Sequence, residues 1–355
     1  MKLLPNLTGL RFFLAFLVVI FHVPQFCQNR GFPYFNSLAI FNKGDEAVYM
    51  FFSLSGFLII RQLYIEKLNT NSVNLKNFFL KRVVRIFPLY YLVLTFGFIY
   101  YRFILPYFGF DYENNYDLVY GIFLSYTFFP NIFSHFSPGG IIEVLWSIGI
   151  EEQFYLLIAP LIFIIPFKYI IRFLIVFTIF YFIMYFSETI KFISNYKMLF
   201  FYFSFSGLCS ILSLNKNIKF QFFKYFCFLL FIIYFTTSIF RNNLTDTYFH
   251  LISMILFGLT LCCFTGKPIK FLENKIVTYL GKISYGIYMY HTIMMQFVGY
   301  LFLKSNIYLH ISNLYSIIIF HVLVLISTII TAHLSFKYFE SYFLNFKNKL
   351  KAKIQ

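Results

Sequence analysis

Apolar residues run through this chain in long blocks, separated by short basic or polar stretches. Blocks fall at 8–27, 45–63, 84–105, 141–166, 169–187, 197–214, 222–240, 247–266, 278–303 and 311–336. Most match the roughly 20 residues that an α-helix needs to cross a bilayer's hydrocarbon core. The pattern predicts an all-α fold, a polytopic transmembrane helical bundle of about ten spans. One shorter apolar stretch, "LVYGIFLSYTFFPNIF" at 118–133, fits either a crossing or a dip back to the same side. The first block, "LTGLRFFLAFLVVIFHV", has no basic leader or small-residue cleavage site, and similar blocks follow it. It therefore reads as a first span and not as a signal peptide.

Charge orients the bundle. With ten spans and both termini cytoplasmic, 22 of the 29 Lys+Arg lie on the cytoplasmic side and 7 outside. If 118–133 crossed as well, the cytoplasmic share would fall to 12 of 29. The positive-inside bias therefore favours ten spans. The acidic stretch "DYENNYD", Asp111 to Asp117, falls outside in either arrangement. The expected domains are a transmembrane domain over 1–340 and a basic cytoplasmic tail over 341–355, suited to contact with surface lipid.

Composition then narrows the class. The chain is 60% hydrophobic and only 12% charged, too few charges to cover a water-facing surface. A net charge of +16 would point to nucleic acid in a soluble protein, but here the basic residues sit between apolar runs and serve topology. No nucleic-acid partner is expected. The five cysteines mostly lie within apolar runs without ligand spacing, so neither a disulfide nor a metal site is implied.

Charge at membrane depth costs roughly 2.5–3.5 kcal/mol on insertion scales and calls for a partner or a wet cavity. Arg11 and His22 are eleven residues apart, about three helical turns, so they share one face some 16 Å apart. Arg11 near a helix end also fits simple snorkelling. In "KRVVRIFPLYY", Arg82 and Arg85 are neighbours on one face. They suit a positive-inside flank or, through their guanidinium forks, a phosphate clamp. In "WSIGIEEQFYL", Ser147, Glu151 and Tyr155 follow i, i+4, i+8 spacing beside Trp146, with Glu152 adjacent. Two glutamates within an apolar span point to function. His291 in "SYGIYMYHT" fits a hydrogen-bonded core group or a functional one equally. Ser55 and Gly56 in "FFSLSGFLI" read, taken alone, as small residues that let helices approach closely.

Together these segments resemble the acyltransferase 3 family of integral membrane acyltransferases. The matching stretches are "LTGLRFFLAFLVVIFH", "FFSLSGFLI", "RVVRIFPLY", "WSIGIEEQFYL" and "GKISYGIYMYH", in the family's order, over residues 7 to 291. Departures are small: Thr8 stands where an Asp often precedes Gly-Leu-Arg, Ile148 replaces a usual Leu, and Tyr290 precedes the His. The likeness is to members without the fused extracytoplasmic esterase-like domain that some carry.

The resemblance implies transfer of an acyl group, usually acetyl, from cytoplasmic acetyl-CoA to a hydroxyl of an envelope glycan. Such acceptors include O-antigen, capsule, exopolysaccharide, peptidoglycan and lipid-linked sugars. It implies a multi-pass protein of the bacterial inner membrane, with acetyl-CoA as a substrate and no permanently bound cofactor. Under it, Arg11, Arg82 and Arg85 would hold the CoA phosphates toward the cytoplasm. His22 and Glu151 would lie in the outer half, with His22 as general base and Glu151 orienting its imidazole. Ser55, Gly56, Trp146, Ser147, Tyr155, Ser284, Tyr285 and His291 would support the site. An acyl-enzyme route fits the same residues. A proton-coupled transporter or a flippase of a lipid-linked glycan is the rival from another class, although no paired Gly/Pro-broken helices mark inverted repeats. A non-catalytic scaffold would leave the polar residues unexplained.

Overall fold

The computed structural model describes residues 4–110, 116–187, 189–215 and 220–345. Most of the acidic stretch from Asp111, the loop lysines Lys216 and Lys219, and the tail from 346 onward lie outside the described residues. Among the described residues there is no strand.

Ten principal helices occupy the ten apolar blocks: α1 (Leu7–Asn29), α2 (Gly44–Thr70), α3 (Leu75–Ile99), α4 (Trp146–Ile164), α5 (Ile170–Phe186), α6 (Phe200–Leu212), α7 (Lys224–Thr236), α8 (Asp246–Phe264), α9 (Ser284–Ser305) and α10 (Asn313–Ser335). Seven helical stretches among the described residues are long and apolar enough to cross a membrane. These contain α1, α2, α3, α4, α5, α8 and α10. The other three expected spans fall short for separate reasons. Helices α6 and α7 have 13 residues each, about 20 Å at 1.5 Å per residue. Helix α9 has 22 residues, diluted by Ser284, Tyr285, Tyr288, Tyr290, His291, Thr292 and Gln296. Helix α3 continues through a π-helical turn to Tyr107, and α10 likewise runs on to Asn345.

The stretch 118–133 does not form a crossing helix. It divides into Leu118–Tyr126, nine residues long, and Pro130–Phe133. Nine residues rise only about 14 Å, under half of the hydrocarbon thickness. Phe128 between them takes a left-handed conformation at φ 64°.

The chain gathers into two compact units, the first from Met1–Val73 with Leu156–Ser284 and the second from Asn74–Tyr155 with Tyr285–Gln355. In the first unit, α6 packs against α2, α5 and α8. Gly56 lets the α2 and α6 backbones meet: a Cβ there would stand 2.1 Å from the Phe203 carbonyl oxygen. Thus Gly56 serves close packing, the reading its small size suggested. Interhelical hydrogen bonds add to this. Thr178 donates to Ser204 at 2.8 Å, and the Tyr234 hydroxyl pairs with Ser253 at 2.6 Å. Lys67 is 5% exposed, and its ammonium donates to the carbonyls of Ile162, Phe163 and Ile165 at 2.7, 2.8 and 2.5 Å. It satisfies the orphan carbonyls at the C-terminal end of α4, which have no partner within the helix.

The N-terminus of α1 is pinned by Asn6, fully buried just before it. Its side-chain amide donates to the carbonyls of Phe264 and Lys267 at 2.6 and 3.1 Å, while its oxygen accepts from Ile269 N–H at 2.7 Å. Gly281, in the short helix Lys275–Lys282, lies against the same end. A Cβ there would meet the Thr8 carbonyl oxygen at 1.8 Å.

In the second unit, 118–136 packs on α3 and α4. Tyr90 donates to the Ser125 carbonyl at 2.7 Å, and the Gln153 amide donates to Phe128 O at 2.7 Å and Asn131 Oδ1 at 2.8 Å. Pairing of this kind satisfies the irregular backbone of this stretch.

Candidate functional site

Helix α1 carries Arg11 and His22 on one face, as their spacing predicts, and both are half-buried. His22 Nδ1 lies 2.9 Å from the Val18 carbonyl oxygen one turn earlier. A carbonyl can only accept, so Nδ1 carries the proton and Nε2 is left with the lone pair. That tautomer suits a base acting through Nε2. Phe21 meets the imidazole edge-on, centroids 5.0 Å apart. The first turn of α2 lies against this point. A Cβ on Gly44 would fall 2.1 Å from Phe21 Cδ1, and the next residue, Asp45, is within electrostatic reach of His22. Asp45 also pairs with Lys197 at 4.0 Å, each about half exposed. Beside it, Lys43 and Glu46 form a buried pair at 3.4 Å, and the Lys43 ammonium stands 5.1 Å from the Tyr234 ring centroid. Removing two charges from water is expensive, and each of the pair partly offsets the cost for the other.

The second unit gathers the arginines and the glutamates. The Arg82 guanidinium lies 3.9 Å from the Phe78 ring centroid and 5.8 Å from that of Tyr155, and it donates to the Phe78 carbonyl at 3.0 Å. Stacking of this kind holds the planar fork at low entropy cost. Arg85, one turn on, is exposed. The Tyr155 hydroxyl donates to Glu151 Oε1, which confirms that i and i+4 share a face. Arg82 is within electrostatic reach of Tyr155, Glu152 and Glu151.

Arg82 and Glu151 thus share electrostatic surroundings within the second unit, with the Tyr155 phenol beside both.

The remaining expected residues are placed as follows. Ser147 Oγ is 2.8 Å from the Tyr288 hydroxyl, which itself donates to Val144 O at 2.7 Å. With that proton committed, Ser147 donates and ties α4 to α9. Trp146 is half-buried at the start of α4. Ser284 donates to the Gly281 carbonyl at 2.9 Å, and Tyr285 donates to the Ile86 carbonyl at 2.9 Å. His291 is fully buried, with Nδ1 on the Tyr288 carbonyl of its own helix, as a core histidine would be. Ser55 is half-buried on α2.

Sequence reasoning passed over several groups. Glu340 sits in the π-helical turn Phe336–Glu340 and accepts from Ser335 at 3.2 Å, which in turn accepts from Tyr290 at 3.0 Å; Arg85 is within its electrostatic reach. Asp45 and Glu46 open an apolar block and looked like its boundary, and Lys67 looked like a topology lysine. The available signal was an acid placed at the start or end of an otherwise apolar run. Among the described residues no group of three His, Cys, Asp or Glu could hold a metal ion.

Comparison with known proteins adds to this geometry. A family model described as an acyltransferase domain, acyltransferase 3, matches residues 4–333. A protein of Acidianus two-tailed virus, ORF330, which carries the name of an acetyltransferase, is 28% identical over 309 residues, covering 78% of this chain and 84% of that one. The peptidoglycan O-acetyltransferase OatA of Listeria monocytogenes is 28% identical over 159 residues, 44% of this chain and 24% of its own length. The O-acetyltransferase OatA of Staphylococcus aureus is 29% identical over 164 residues, with the same coverage of 44% and 24%. This chain thus matches about a quarter of the length of the OatA proteins. No solved structure matches it.

Proposed function

The chain belongs to the acyltransferase 3 family, and we propose that it moves an acetyl group from acetyl-CoA to a hydroxyl of an envelope glycan. It is an integral membrane acyltransferase by its apolar helices and its family. The acetyl group follows the names of its relatives, and the glycan follows the peptidoglycan in the name of one of them. In this reading the protein sits in the bacterial inner membrane, with the donor reached from the cytoplasm.

The observation that carries the reading is the hydrogen bond from His22 Nδ1 to Val18 O. It leaves Nε2 as the basic nitrogen on the helix face that also bears Arg11. Nε2 takes the proton from the acceptor hydroxyl as its oxygen attacks the thioester carbonyl. The tetrahedral intermediate collapses, the C–S bond breaks, and the imidazolium returns the proton to the leaving CoA thiolate. An imidazole can take up a proton and give it back, which suits both steps. Asp45 offers a negative charge to the imidazolium from within the same unit, as a carboxylate does in a hydrolase triad.

Arg82 and Arg85 of the second unit hold the donor's phosphates. Arg82 is fixed by its stacking on Phe78, while Arg85 is exposed and can reach outward. Glu151, held by Tyr155, sets the charge around Arg82.

Titrating CoA and acetyl-CoA into the detergent-purified protein separates the enzyme from a transporter. Saturable binding, with acetyl transfer to an added glycan acceptor, is the expected result. No binding, together with altered glycan export in cells lacking the protein, would overturn it.

A further inference from the structure

The two adjacent glutamates of α4 have different surroundings. Glu151 accepts from Tyr155, and the Gln153 amide nitrogen donates to Phe128 O and Asn131 Oδ1, which leaves the Gln153 oxygen buried and unpaired among the described residues. Glu152 between them is 5% exposed, and its Oε1 is buried without a hydrogen-bond partner among the described residues. The groups within its electrostatic reach are Glu151, Arg82, Tyr90, Tyr91 and Tyr285.

All three phenol protons are already committed elsewhere. Tyr90 donates to Ser125 O at 2.7 Å, Tyr91 to Tyr126 O at 3.1 Å, and Tyr285 to Ile86 O at 2.9 Å. The tyrosine hydroxyls therefore have no proton to give Glu152. A buried acceptor left unmade is costly, the more so for a charged group. Its persistence at this spot points to a donor supplied by a ligand.

We propose that Glu152 accepts a hydrogen bond from an amide N–H of the pantetheine arm of the acyl donor. This rests on the acetyl-CoA reading above. With the donor's phosphates on Arg82 and Arg85, the next groups along it toward the thioester are the two amides of that arm. Their N–H groups are neutral donors, suited to a buried site in which a second cation would be expensive. Glu152 would thus select for the arm as the arginines select for the phosphates.

The test titrates two ligands into full-length protein: CoA, and adenosine 3′,5′-bisphosphate, which has phosphates but no arm. Glu152→Met should weaken CoA about tenfold, the upper part of the range for one hydrogen bond. It should leave the bisphosphate unchanged, which also certifies the fold. Glu152→Gln keeps an acceptor oxygen and should stay within about threefold of the wild type for both ligands. A CoA analogue with ester oxygens in place of the amide nitrogens should bind the wild type about tenfold more weakly, a result that needs no variant. Equal loss of both ligands in Glu152→Met would overturn the proposal and make Glu152 a counter-charge for Arg82. Undiminished CoA binding in Glu152→Met, or wild-type binding of the ester analogue equal to that of CoA, would also overturn it. Failure of the wild type to bind CoA at all would instead remove the donor reading on which it stands.

Discussion

Arg82 and Arg85 differ more than their sequence motif suggests. Their i, i+3 spacing makes them neighbours, yet Arg82 is stacked on Phe78 and bonded to its carbonyl, whereas Arg85 is exposed. Charge alone does not explain the first, because a lysine would supply the charge without the planar fork. Arg82→Lys should therefore raise KM for acetyl-CoA about tenfold, a loss of about 1.4 kcal/mol, while Arg85→Lys costs less. Equal KM values for Arg82→Lys and the wild type would contradict the clamp. Single-residue chemistry was only partly legible in the sequence. The Arg11–His22 face and the Glu151–Tyr155 pair follow from helical periodicity, which a sequence displays directly. The commitment of the tyrosine protons around Glu152, and the approach of Asp45 to His22, depend on residues far apart in the chain.

At the scale of elements, the sequence pattern located every principal helix, because long apolar runs in lipid leave the backbone no other way to satisfy itself. It was weaker on lengths. Thirteen-residue α6 and α7 looked like full spans because flanking loops are also apolar, and α9 is more polar than its neighbours. The ambiguity at 118–133 was real in the sequence: its apolar content permits a span, and only the break near Phe128 and Pro130 removes it. Contacts between elements rest on small residues whose role no periodicity reveals. At Gly281 a methyl group would have to displace the Thr8 carbonyl of the α1 terminus. Gly281→Ala should lower the thermal midpoint in detergent, with a loss of roughly 1–3 kcal/mol as in other overpacked cores. Ile276→Ala, at an exposed position of the same short helix, should leave the midpoint unchanged. An unaltered midpoint in Gly281→Ala would show that this end can yield.

The whole molecule divides its polar chemistry between two units. The first carries the proposed base, with Arg11 on the same face and Asp45 in electrostatic reach; the second carries the stacked arginine, the paired glutamates and the tyrosines. Family membership shows what class of reaction such a molecule performs, and His22 is the group on which the proposed mechanism turns. The most direct measurement is mass spectrometry of envelope glycans from cells carrying the wild-type chain, a deletion, and His22→Ala expressed to the same level. The account predicts an acetyl mark in the first that is lost from both others. An acetyl mark that survives His22→Ala would contradict the assignment of the base.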